Sequence, residues 1–99
     1  MSYAYLWQFQ VNPEEEGHFL EHYGPAGTWA RLFRQADGFI ETLLLKDRDH
    51  PCRYVTVDRW ESVSAYEAFR SRFADEYADL DRAYERLTIS EQFIGSFDG

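Results

Sequence analysis

The chain is poor in the residues that build many kinds of site. Its 99 residues include one cysteine, one methionine, three prolines and six glycines. A lone Cys52 closes no internal disulfide. No Cys-x-x-Cys, glycine-rich phosphate loop, dinucleotide fingerprint or nucleophile elbow occurs, so nicotinamide and nucleotide cofactors are not expected. Positive charge is also scarce. Ten Lys and Arg against 18 Asp and Glu leave a net charge of −8, and no Lys or Arg precedes Arg31. Such a charge repels phosphate backbones and anionic lipid, which argues against nucleic acid and membrane surfaces as partners. The start of the chain has no basic region or apolar stretch of the signal-peptide kind, and the longest run of large aliphatics is Leu43-Leu44-Leu45. The expectation is a cytoplasmic protein without a membrane span. What the chain has in quantity is aromatic rings: 18% of its residues are Phe, Trp or Tyr, and the apolar total of 44% is too high for disorder. Its length implies one domain over residues 1–99.

Alternation over Tyr3–Val11 puts Tyr3, Tyr5, Trp7, Phe9 and Val11 on one side of a strand. Asn12 can cap a helix, with Glu15 placed for a capping box and Phe19, Leu20 and Tyr23 inward. The run Gly24-Pro25-Ala26-Gly27 must interrupt that helix. Thr28 offers a new cap for a second half carrying Trp29, Leu32, Phe33 and Ala36. Gly38–Lys46 and Cys52–Glu61 read as a hairpin around a charged turn. In the first of these strands the alternation puts Phe39 and Leu43 opposite Ile40 and Leu44. Ser64, with Glu67 three residues on, can box a long helix striped by Tyr66, Phe69, Phe73, Tyr77, Leu80, Tyr84 and Leu87. At this length the helix is expected to bend, fray or overhang the sheet. Thr88–Phe97 gives a last strand with Ile89, Phe93 and Phe97 on one face. The order β-α-β-β-α-β is the split βαβ arrangement of a ferredoxin-like α+β fold with a four-stranded antiparallel sheet. Two helices cover one sheet face, yet both faces carry large apolar groups. The open face is therefore expected to pack against a second copy, making a homodimer.

The segment Trp60-Glu61-Ser62-Val63-Ser64-Ala65-Tyr66 resembles the Trp-Glu-Ser-x-x-Ala-Tyr segment of the antibiotic biosynthesis monooxygenase (ABM) family of dimeric α/β barrels. Gly38-Phe39 at the second strand, the charged turn before Pro51, and Ile94-Gly95 are similar as well. The resemblance implies oxygenation of a small phenolic or polycyclic aromatic substrate without a bound metal or flavin, and it marks Trp60 and Tyr66 as functional positions. Two positions depart from the family pattern. Thr56 stands where the monooxygenases carry a side-chain amide, and Leu80 where they carry an arginine. The haem-degrading members use a histidine on the second helix, and this chain has none after His50.

The residues can also be read without the resemblance. Trp60 shares a pleat face with Tyr54, Thr56 and Asp58, and Tyr66 follows within the next helical turns, so both rings can converge on one cavity between helix and sheet. Indole N–H and phenol O–H could hold a substrate oxygen there. The same two rings could equally be core. Trp7 adds a stacking wall, and Thr56, Trp29 and Phe69 complete the expected substrate contacts. The proton acceptor would be His22 or Asp58; a buried Asp58 would need a partner, for which an arginine is one choice. His18 and His22 stand one helical turn apart near Glu14 and Glu15, but no second ligand pair accompanies them and no metal is expected. The acidic run from Asp75 to Glu85 reads as a solvated helix face. The competing class is a non-oxidative barrel domain: a ligand-binding protein, cyclase, isomerase or decarboxylase. An RNA-binding module would also place aromatics on the sheet, but the charge opposes it.

Overall fold

The computed structural model covers residues 1–99. Its sheet contains β1 (Tyr3–Val11), β2 (Phe39–Lys46), β3 (Arg53–Trp60) and β4 (Thr88–Asp98). Their order is β2-β3-β1-β4, with every neighbouring pair antiparallel. The helices are α1 (Glu16–Tyr23), α2 (Thr28–Phe33), α3 (Val63–Arg72) and α4 (Ala74–Tyr84). The architecture is the α+β ferredoxin-like fold, with all helices on one face of the sheet. No helix is long and apolar enough to cross a membrane.

Local chemistry sets the helix ends, at several points one or two residues away from the sequence reading. The Asn12 side chain accepts from the Glu14 N–H (3.1 Å) and starts a 3-10 turn rather than a capping box. The Glu15 carboxylate turns instead to His18 (2.8 Å). Gly27, not Thr28, is the cap of α2, and only glycine fits there, since a Cβ would stand 2.6 Å from the Glu21 carbonyl oxygen. Ser62 rather than Ser64 caps α3, accepting from the Ala65 N–H at 3.0 Å. The long second helix breaks at Phe73, whose backbone leaves the helical region at φ −108°, ψ 28°. That bend keeps Phe69, Phe73 and Tyr77 against the core instead of letting one straight rod overrun the strands.

Three bulges interrupt the ladders, one of them skipping Ile89 opposite Gln10 and Val11, and the other two overturn the simple alternation within the sheet. One lies between Phe39 and Glu41, so Phe39 packs on Trp60 (5.2 Å between ring centroids) while Leu43 faces away from the core. The other skips Ile94 opposite Leu6 and Trp7. Phe93 therefore meets Trp7 edge-on at 5.2 Å on the helix side, while Phe97, opposite Ala4, lies on the other face. An extra residue in one strand reverses the side-chain parity beyond it. The core between sheet and helices centres on Trp60, Phe19, Phe69, Leu87 and Val11, all fully buried. On the open face Leu43, Leu45 and Phe97 are 39%, 52% and 51% exposed, beside half-buried Leu6, Val55 and Val57.

Candidate functional site

A cavity of about 180 Å³ opens between the sheet and the helices. On the sheet its polar residues are Thr42, Thr56 and Asp58, on β2 and β3. Seven aromatic rings wall it: Tyr5, Trp7 and Phe9 from β1, Tyr23 from α1, Trp29 and Phe33 from α2, and Tyr77 from α4. Asp81 and Glu91, both exposed, mark where it meets solvent. The strand residues reach it because residues two apart share a pleat face and because Tyr5, Trp7 and Phe9 pair directly with Asp58, Thr56 and Tyr54.

Asp58 is the unusual group. It is only 7% exposed. Its partner is not an arginine: Thr42 Oγ1 donates to Oδ1 at 2.6 Å, and no side chain donates to Oδ2. Burial pushes the carboxyl up to about 6, and the Thr42 hydrogen bond holds it back from rising further. Desolvation chiefly, with Asp58 beside it, drives the Tyr5 phenol far above its ordinary value. Tyr77 is pushed up to about 12 by burial, which Arg70 partly offsets. Glu91, exposed but partly desolvated at the mouth, also rises, with the nearby Asp81 adding to the effect. No lysine, arginine or histidine lines the cavity. Arg70 meets one lining ring from outside: its guanidinium lies 3.9 Å over the Tyr77 ring and donates to the Tyr66 hydroxyl at 3.1 Å.

The sequence-expected residues divide into two sets. Trp7, Thr56, Asp58 and Trp29 line the cavity together. Trp60, Tyr66 and Phe69 stand one ring behind it: Trp60 and Phe69 are wholly core, and Tyr66 packs on the back of Tyr5 at 4.8 Å. The Trp60 indole N–H is buried and has no hydrogen-bond partner. His22 is outside the cavity. Its Nδ1 meets Thr28 Oγ1 at 2.7 Å and its ring stacks on Tyr84 at 4.0 Å. His18 and His22 thus hold different partners, and no three His, Cys, Asp or Glu side chains converge as a cation would require.

The family model for antibiotic biosynthesis monooxygenases matches residues 3–80. The chain belongs to this family. Among solved structures it is similar to SnoaB, a cofactor-independent oxygenase from Streptomyces nogalater, with a TM-score of 0.75 and 20% identity over 99% of this chain and 92% of that one. A Bordetella bronchiseptica protein named for the ABM family gives 0.74 and 20%, covering 99% and 96%. A conserved Methanosarcina mazei protein gives 0.72 and 11%, covering 98% and 91%. At these identities the likeness establishes the shared fold. Among curated proteins no sequence match is found.

Sequence reasoning did not single out Tyr5, Thr42, Tyr77, Asp81 or Glu91. Tyr5 shares Trp7's pleat face and Tyr77 lies on the helix stripe, so a signal existed for both. Thr42 was hidden by the bulge at Ile40, and the two acids look like ordinary surface charge.

Proposed function

We propose that this ABM-family protein is a cofactor-independent monooxygenase of a small, electron-rich phenolic compound, with Asp58 as the proton acceptor. One observation carries the reading: a buried carboxylate, not neutralised by any cation, presents a free oxygen to a cavity walled by aromatic rings. A carboxyl held near 6 is mostly ionised at neutral pH and is still basic enough to assist a proton transfer. The cavity volume of about 180 Å³ lies below the roughly 300–1,000 Å³ that encloses drug-sized ligands. It favours a small phenol over an extended polycycle.

The chemistry asks the protein for a base, an orientation and a dry enclosure. Asp58 takes the phenolic proton. The phenolate passes one electron to O₂, and the resulting phenoxyl radical and superoxide couple at a ring carbon. Asp58 returns its proton to the peroxide, and the hydroperoxide then loses hydroxide as the ring C–H proton leaves, the two forming water and the ring becoming a quinone. One oxygen atom enters the product and one leaves as water, and the substrate supplies every electron. Trp7 and Trp29 hold the ring flat, and Thr56 offers a hydroxyl to the substrate oxygen. Trp60 and Tyr66 act behind this layer by fixing Tyr5.

The protein also forms a homodimer in this reading, through the open sheet face with Leu43, Leu45 and Phe97. A single free cysteine suits a cytoplasmic setting. The test is oxygen uptake by the metal-stripped protein over a panel of one- and two-ring phenols, beside Asp58→Asn. Uptake that falls at least a hundredfold in the variant supports Asp58 as base. Ligand binding with no uptake by any compound would return the protein to the non-oxidative class, which the departures at Thr56 and Leu80 favour.

A further inference from the structure

The oxygenase reading creates an electrostatic difficulty that points to its substrate. Negative charge must develop on the substrate oxygen and then on dioxygen, inside a cavity lined by Asp58, Asp81 and Glu91 and by no cationic side chain. Arg70 does not relieve this, since it lies on Tyr77 and Tyr66 and is not among the lining groups. The two acids at the mouth have no counter-ion between them, and Asp81 raises the Glu91 carboxyl. Opposite charge must come from somewhere for an anion to form beside three carboxyl groups.

We propose that the substrate brings that charge itself: it is an amine-bearing phenol whose protonated amino group sits at the mouth, with Asp81 and Glu91, while its hydroxyl reaches Asp58. This rests on the oxygenase reading of the same cavity and deepens it. The Asp58 oxygen that accepts from no side chain fixes the phenol end, on a residue only 7% exposed. The aromatic rings favour a cation over a neutral tail, because ring faces attract positive charge. The overall charge of −8 draws cations toward the molecule and repels anions. On deprotonation the ligand becomes a zwitterion of zero net charge, which is the form least penalised among these acids.

The experiment compares three ligands that share one phenol ring and differ in the charge of the tail: tyramine, 4-ethylphenol and 3-(4-hydroxyphenyl)propionate, titrated calorimetrically into the full chain at pH 7.5. Tyramine should bind about tenfold more tightly than 4-ethylphenol, with the propionate weakest. The double variant Asp81→Asn, Glu91→Gln should bring tyramine down to the 4-ethylphenol level. Since both residues are exposed, that variant is expected to fold, and circular dichroism checks it. Equal binding of tyramine and 4-ethylphenol, a preference for the propionate, no binding by any of the three, or a tyramine preference that survives the double variant would each overturn the proposal. Oxygen uptake measured with neutral phenols separates these failures from failure of the oxygenase reading.

Discussion

Asp58 joins a functional expectation to a cost in stability. Its carboxyl lies near 3.8 when unperturbed and about 6 in the folded protein, so the native state binds this proton more tightly than the unfolded chain does. The contribution to stability is full below pH 3.8 and is lost as pH rises through about 6, by roughly 3 kcal/mol at most. Asp58→Asn should therefore raise the urea midpoint at pH 8 by the equivalent of roughly 1–3 kcal/mol, and the gain should vanish near pH 4. An equal effect at both pH values would mean that Asp58 is not held up by burial. The same group sets the expected activity profile, whose acid limb falls near pH 6. Thr42 donates to the charged form, so Thr42→Val should move that limb to higher pH and leave the form of the profile intact; an unmoved limb would remove Thr42 as a positioning residue. Much of this site was legible in the sequence, because pleat parity places Trp7, Thr56 and Asp58 on one face. Thr42 was not, since nothing in Phe39-Ile40-Glu41 announces a bulge. Trp60 and Tyr66 carry the family resemblance, yet in this chain they stand behind the cavity wall, Tyr66 against Tyr5 and Trp60 against Phe33.

At the scale of elements, the strands and the order of the fold follow from period and turn chemistry, and the departures lie where two local signals competed. Ser62 and Ser64 both suit a helix start, and the choice depends on where β3 releases the chain. Ser62→Ala should cost about 1 kcal/mol by losing the bond from Ala65, whereas Ser64→Ala should cost close to nothing. Thermal denaturation of the pair checks this, and the reverse order would place the cap at Ser64. Gly38 is a stronger constraint. It holds φ +91°, and a Cβ there would come within 2.6 Å of the Ala65 Cβ, so the α2–β2 junction and the first turn of α3 fit together only with glycine. Gly38→Ala combines backbone strain with overpacking and should cost about 2–4 kcal/mol. A loss below about 0.5 kcal/mol would show that α3 yields freely, contrary to its packing through Phe69. Neither constraint is visible in periodicity: the cap depends on where β3 ends, and Gly38 on two segments distant in sequence meeting at one point.

At the scale of the molecule, the open sheet face must be reconciled with a net charge of −8. Two copies repel each other as wholes, so the proposed dimer has to be held by apolar contact, for which the candidates are Leu43, Leu45 and Phe97 with half-buried Leu6, Val55 and Val57. The wild type should sediment at twice 11.8 kDa at micromolar concentration. Leu45 is 52% exposed in the single chain, so Leu45→Glu leaves the fold undisturbed while forcing a carboxylate into the interface, and it should sediment as a monomer with an unchanged circular dichroism spectrum. A dimeric variant, or a monomeric wild type, would place the contact elsewhere or remove it. Salt separates the two forces. Screening weakens the repulsion between acidic subunits but hardly touches apolar contact, so raising the salt from about 20 to about 500 mM should tighten the dimer. A dimer that loosened with salt would instead be held by ion pairs, with Arg53 and Arg59 on this face as the groups to examine, Arg59 being already engaged by Glu41 within its own chain.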